Sequence, residues 1–171
     1  MRRLLSASLI ILAAWGLGGC AGYQLGEATT LPFDTVQIAP PVNASLAPQA
    51  AALLGTQVAR EIDRTGLARV APPGTDAGDA RLEIVITKLD REVSADRADD
   101  VGLARKWRLT LTATCTLTDR RNGRVYFHDR VVSAFDEIYT DSGTNPAEYQ
   151  NMPVLTARLA ERIAREVVAV W

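Results

Sequence analysis

Trp107-Arg108-Leu109-Thr110-Leu111-Thr112-Ala113-Thr114-Cys115-Thr116-Leu117-Thr118 alternates apolar and polar side chains without a slip. Successive side chains of a strand point to opposite faces. The run therefore predicts an antiparallel strand with one covered face, Trp107 through Leu117, and one wet face of Arg108 and threonines. Such a strand needs neighbours, and the sequence offers them on both sides. Downstream, Asp119 to Gly123 ends in Asn122-Gly123, a tight-hairpin signal. A strand follows over about 124–138, with Val125, Phe127 and Val131 on one face. Val132 and Phe135 break that parity, which predicts a bulge or a long twisted strand. Upstream, Leu82, Ile84 and Ile86 alternate with Arg81, Glu83, Val85 and Thr87. Earlier still, Val36 and Ile38 share a face of a short strand over 35–38, stopped by Pro40-Pro41, because proline cannot donate to a ladder.

Two helices complete the set. Over residues 47–65, Ala51, Leu54, Val58 and Ile62 recur at helical spacing, while Arg60, Glu61, Asp63 and Arg64 lie mostly off that stripe. Pro48 suits the first turn and Gly66 the residue just past the end. A Pro-, Gly- and Asp-rich loop follows over 72–79. The last helix spans about 146–170, with Leu155, Leu159, Ile163 and Val167 as its buried stripe. Asn145 is placed to cap it, Pro146 fits the first position, and Glu148 completes an Asn-x-x-Glu capping box. Pro153 falls inside this span and predicts a kink or a restart. There is no internal repeat. The apolar stripes need a partner and the sheet needs a cover, so the two helices pack side by side on one face. The predicted fold is α+β: a four-stranded, mainly antiparallel sheet with two helices on one face, in the order strand-helix-strand-strand-strand-helix.

The chain opens differently. Arg2 and Arg3 precede an apolar run from Leu4 to Leu17, broken only by Ser6, Ser8 and Gly16. That is shorter than the roughly 20 apolar residues a membrane-spanning helix needs, and it matches the core of a cleaved export signal. The run ends in Leu17-Gly18-Gly19-Cys20, a lipobox: a branched aliphatic, two small residues, then cysteine. Residues 1–19 are read as a signal peptide. Cys20 becomes the first mature residue, carrying a diacylglycerol thioether and acyl chains of the palmitate class. Two or more chains anchor stably, at about 0.8 kcal/mol per buried methylene. Residues 20–30 form the lipidated N-terminus and tether, and 31–171 a single α+β domain. Ala21 stands where an Asp would favour inner-membrane retention in enterobacterial sorting, so the expected location is the periplasmic face of the outer membrane.

Of the 19 Lys and Arg, Arg2 and Arg3 lie in the signal, so 17 face 20 Asp and Glu, a formal charge of −3. No bulk basic character points to nucleic acid. With Cys20 consumed by lipid, Cys115 has no partner. On the apolar side of its strand it reads as a small hydrophobe. Catalytic signatures are missing. His128 has no second histidine or metal-type cysteine to join it, and a zinc site needs three or four such ligands. Nor does it have a recognisable nucleophile to activate. Asp96, Asp99 and Asp100 read as a solvated loop run. The glycine clusters lack the strand–loop–helix setting of a phosphate loop. The chain is read as no enzyme, with no metal and no cofactor beyond the covalent lipid on Cys20.

Binding is the chemistry that remains. Arg105, Lys106 and Arg108 surround Trp107, Arg97 sits in the preceding loop, and Arg120, Arg121 and Arg124 crowd the hairpin. Arginine forks suit phosphates, and apolar neighbours suit an anionic amphiphile. Charges at strand ends also keep sheet edges soluble, and residue types alone leave both readings open.

With these features in view, the chain resembles the lipopolysaccharide-assembly lipoprotein family LptE. Cys20 is followed by Gly22-Tyr23-Gln24-Leu25, similar to that family's cysteine-glycine-aromatic-x-leucine opening. Leu31-Pro32-Phe33 with Thr35-Val36-Gln37-Ile38, the helix ending at Gly66, and the threonine-rich strand before Asn122-Gly123 also match. So do Tyr139, the acidic stretch and the helix containing Met152. The resemblance spans nearly the whole mature chain and implies the same four-stranded, two-helix fold. It implies a partner, the large outer-membrane β-barrel that inserts lipopolysaccharide, with this protein as its plug. It also implies direct lipopolysaccharide binding through basic residues in loops at one sheet end, where Arg97, Arg105 and Lys106 fall. Asp136 to Glu148, where a second basic contributor is expected, contains no Lys or Arg. The polar stripe of Thr110, Thr112, Thr114 and Thr116 suits a water-lined barrel interior, which is also polar, although threonine favours strands in any setting. The alternative is an auxiliary lipoprotein of an envelope phospholipid transporter of the ABC type, and a third reading is a periplasmic enzyme.

Overall fold

A computed structural model describes residues 30–47, 49–75, 77–94, 105–140 and 144–170, with the backbone alone at 105, 140 and 144–146. The expected signal peptide, Cys20, Ala21, most of the expected tether, Pro48, the Asp96–Asp100 run and Arg97 lie outside the described residues. In chain order the elements are β1 (Thr35–Ile38), β2 (Val42–Asn43), α1 (Ala50–Thr65), β3 (Arg69–Val70), β4 (Ala80–Val93), β5 (Arg105–Asp119), β6 (Val125–Thr140) and α2 (Thr144–Val168).

The α+β class holds, but the sheet is mixed and has six strands, not four. Its order is β3-β1-β4-β5-β6, with β2 also on β4. β1 runs parallel to both β3 and β4, and β2 runs parallel to β4. The two additional strands are two residues long, too short to carry an alternating pattern. Pro40 and Pro41 end β1 as expected, yet the chain regains the same edge of β4 beyond them. Ala39 N–H donates to the Leu82 carbonyl before the prolines, and Ala44 N–H to the Ile86 carbonyl after them.

β5 sets the phase of the sheet. Leu109, Leu111, Ala113, Cys115 and Leu117 all point into the core, in strict alternation. Both neighbours slip to stay in step. β4 carries an extra residue between Ile86 and Lys88, so its buried set passes from Leu82, Ile84 and Ile86 to Leu89. β6 sets His128 and Asp129 against Thr116 alone, since Cys115 pairs with Arg130 and Leu117 with Phe127. Asp129 adopts φ 47°, and its N–H donates to Thr116 Oγ1 at 3.1 Å. One extra residue reverses the parity of all that follows. Phe127, Val132, Ala134 and Ile138 are therefore buried and Val131, expected to share Phe127's face, is exposed. Val125, also expected on that face, is exposed because a second slip, at Tyr126, lies between the Leu117–Phe127 and Thr118–Val125 pairs.

α1 buries Ala50, Leu54, Val58 and Ile62, a stripe that takes Ala50 where Ala51 was expected. Gly66 ends it in the left-handed region at φ 68°, its N–H donating to the Asp63 carbonyl. α2 begins at Thr144, ahead of the expected cap at Asn145, and runs to Val168 without restarting at Pro153. Leu155, Leu159, Ile163 and Val167 form its fully buried stripe. Thr156 Oγ1 donates to the Met152 carbonyl at 2.8 Å and lies 3.1 Å from that of Pro153, beside the turn the proline disturbs. The helices cover the Leu109–Leu117 face of β5, and a core truncation there such as Leu111→Ala costs about 2–5 kcal/mol. Cys115 sits inside this layer. Burial, reinforced by Glu166, pushes its thiol up to about 12, so it stays an unreactive thiol.

Candidate functional site on the open face and outer end of the sheet

The helices leave the other face of the sheet bare. Register places Arg108, Thr110, Thr112, Thr114, Thr116 and Thr118 of β5 on it. Across the strands, Val42, Val85, Thr114 and Val131 form one continuous uncharged row. Thr112 and Ser133 form an uncharged pair beside it, and Phe135 lies opposite Thr110. Val131, Phe135 and Tyr139 are 67%, 45% and 65% exposed, large apolar surfaces on a face with no cover among the described residues.

Charge flanks the row on β4, where Glu83 lies opposite Thr116 and the paired Lys88 and Asp90 lie opposite Thr112 and Thr110. It gathers towards the outer end, where β5 begins and β6 ends. Lys106 lies opposite Tyr139 and Arg108 opposite Glu137. Glu137 receives both cations: Lys106 Nζ at 2.8 Å and Arg108 at 3.2 Å. Those two hydrogen bonds, that of Lys106 first, hold the Glu137 carboxyl below its ordinary range. Each cation also lies over a ring, Lys106 at 5.8 Å from Tyr139 and Arg108 at 5.1 Å from Phe135. The cluster therefore combines two cations, one carboxylate and two exposed rings. Of the residues expected to bind an anionic amphiphile, Lys106 belongs to this cluster, Arg105 is the adjoining strand residue paired with Thr140, and Arg97 lies outside the described residues.

On the helix face of the same end lies a pair that sequence reasoning missed. Arg91 donates Nε and Nη2 to the two carboxylate oxygens of Glu148, at 2.7 and 2.6 Å. The carboxylate raises the Arg91 pKa. Glu148 was expected in a capping box. It faces β4 instead, because the bulge at Thr87 turns Arg91 inward beneath α2. Nearby, Trp107 keeps its indole N–H buried with no acceptor among the described residues.

The hairpin end has a different organisation. Buried Asp119 receives the Arg121 backbone N–H (2.9 Å), Arg121 Nε (3.1 Å) and Nη2 (2.8 Å), and the Tyr126 hydroxyl (2.9 Å). Arg121 Nη2 also donates to the Pro32 carbonyl at 2.7 Å, and Phe33 packs on Tyr126 with ring centroids 5.4 Å apart. Arg121 therefore fastens the incoming N-terminal segment to the hairpin. Its side-chain hydrogen bonds are the main reason that the Asp119 carboxyl lies far below its usual range. Arg124 lies over Tyr126. His128 is exposed, 3.1 Å from Asp129. Among the described residues, no cluster of three or more His, Cys, Asp or Glu could hold a metal ion, and no helix is long and apolar enough to cross a membrane.

Solved structures with a similar fold include the hypothetical protein CT253 from Chlamydia trachomatis. It has a TM-score of 0.53 at 10% identity, covering 80% of this chain and 96% of that one. A minor lipoprotein from Acinetobacter baumannii aligns with a TM-score of 0.51 at 16% identity, covering 81% of this chain and 95% of that one. At these identities the likeness concerns the fold alone. No curated protein matches the sequence. The family model described as LptE, lipopolysaccharide-assembly, matches residues 33–169, the whole of the described sheet and of both helices. The chain belongs to the LptE family of lipopolysaccharide-assembly proteins.

Proposed function

We propose that this protein is a non-catalytic outer-membrane lipoprotein, anchored through acylated Cys20. In this reading it serves as plug and partner of the large β-barrel that delivers lipopolysaccharide to the cell surface. Family membership supplies the process, and the observation that carries the partner role is the bare sheet face with its uncharged Val42–Val85–Thr114–Val131 row. Hydroxyl and aliphatic side chains exchange water for the polar lining of a barrel without stranding a charge, which would cost several kcal/mol.

Lipopolysaccharide binding is assigned to the outer end. Arg97, Arg105 and Lys106 supply cations for phosphate, and Tyr139 and Phe135 supply apolar surface beside them. Glu137 holds Lys106 and Arg108 in place, so an anionic headgroup competes with that carboxylate or adds to it. The test is co-purification of the tagged protein from detergent-solubilised membranes. A large outer-membrane β-barrel is expected in the eluate, and its absence defeats the partner role.

A further inference from the structure

β6 is the last strand of its sheet, and among the described residues no strand pairs with its far side. A sheet edge presents unpaired amides and carbonyls that invite another strand. The middle of β6, Val131-Val132-Ser133-Ala134-Phe135, is uncharged and rich in β-branched and aromatic side chains. Segments of that composition self-pair when an edge leaves them open.

This edge is not left open. Arg162 Nη1 donates to the Ser133 carbonyl at 2.7 Å, and Arg158 Nη1 to the Phe135 carbonyl at 3.1 Å. Arg158 also pairs with Asp136 at 2.7 Å, and Arg130 with Glu166 at 2.8 Å extends the row. Four residues of helix advance about 6 Å and two residues of strand about 6.8 Å. Two guanidiniums one helical turn apart therefore meet two successive outward carbonyls. Those carbonyls are the acceptors that an added strand would use.

We propose that the outer edge of β6 is a self-association surface, fitted to a second copy of β6 in antiparallel pairing, which Arg158 and Arg162 hold closed in the single chain. Two-fold pairing about Phe135 sets Phe135 against its own copy, Val131 against Tyr139 and Ser133 against Glu137. The Phe135 pair then meets at the centre, Ala134 and Ser133 face Asp136 and Glu137 beside it, and no like charges are directly opposed between residues 130 and 140.

The experiment is sedimentation velocity of the lipidated protein, with detergent in excess so that each micelle carries one anchor. Wild type sediments with one chain per particle. Arg158→Ala with Arg162→Ala shifts towards about twice that protein mass as concentration rises. Arg162→Ala alone keeps the Arg158–Asp136 pair, and with it the packing of α2, and shows the same shift at higher concentration. Adding Ser133→Pro removes an outward amide, a change that edge strands tolerate, and returns the double variant to a single chain. Arginine variants that keep the wild-type circular dichroism yet stay single at every concentration overturn the proposal. Association that survives Ser133→Pro overturns it too.

Discussion

The two ends of β5 carry similar clusters of basic residues, Arg105-Lys106-Trp107-Arg108 at one and Arg120-Arg121 with Arg124 at the other. Their partners differ. At the hairpin end Arg121 is spent on buried Asp119 and on the Pro32 carbonyl, so its guanidinium is part of the framework. At the outer end two cations share Glu137 on an exposed face beside uncovered rings. The arrangement of acceptors separates an arginine built into the framework from one held on an exposed face beside aromatic surface, and residue type does not.

Four changes break or sharpen that contrast, in descending order of effect. Asp119→Ala strips Arg121 and Tyr126 of their acceptor and lowers the melting temperature by many degrees, with Asp119→Asn intermediate. Held below its ordinary range in the fold, the Asp119 carboxylate contributes stability above the usual Asp pKa of about 3.9, and this is lost as pH falls through the native value. Thermal melts between neutral and strongly acidic pH are expected to show this loss in wild type and a flatter profile in Asp119→Asn. Cys20→Ser leaves circular dichroism unchanged while moving the protein out of the membrane pellet. Full retention with the outer membrane would mean that the barrel contact alone holds it. Arg97→Ala with Arg105→Ala weakens lipopolysaccharide binding by about tenfold, equivalent to roughly 1.4 kcal/mol, with unchanged melting. Unaltered binding of the purified double variant would remove both positions from the site. Glu137→Gln releases Lys106 and Arg108 from their carboxylate and raises the same binding by a few-fold, whereas weaker binding would make Glu137 a positioning group.

Much of the fold was legible because β5 alternates so strictly. Its register, the Asn122-Gly123 turn and the Gly66 helix end all follow from local rules. Parity failed where a bulge intervenes: nothing in Val125-Tyr126-Phe127-His128-Asp129 marks Asp129 as the residue that reverses the face, because β5 decides it from across the ladder. β2 and β3 were invisible for a related reason, being two residues each and formed only because β4 and β1 offer open edges. In the site, the cation types at the outer end were readable, and Lys106 falls on the expected end. The pairings of Glu137 and of Arg91 with Glu148 were not foreseen, since they join partners 29 to 57 positions apart in sequence. The Val42–Val85–Thr114–Val131 row could not be read either, since it crosses four strands and exists only once they are paired.

That row carries the central claim, that the bare sheet face docks against the barrel wall. Thr114→Glu places a carboxylate at its centre, solvated in the free protein and desolvated once docked. The measurement is the amount of β-barrel recovered per tagged lipoprotein from solubilised membranes, for wild type and for Thr114→Glu, with matched circular dichroism and melting. The account predicts stoichiometric recovery with wild type and a loss of at least about tenfold in the variant, the penalty for burying an unpaired charge. Equal recovery from both proteins would contradict it.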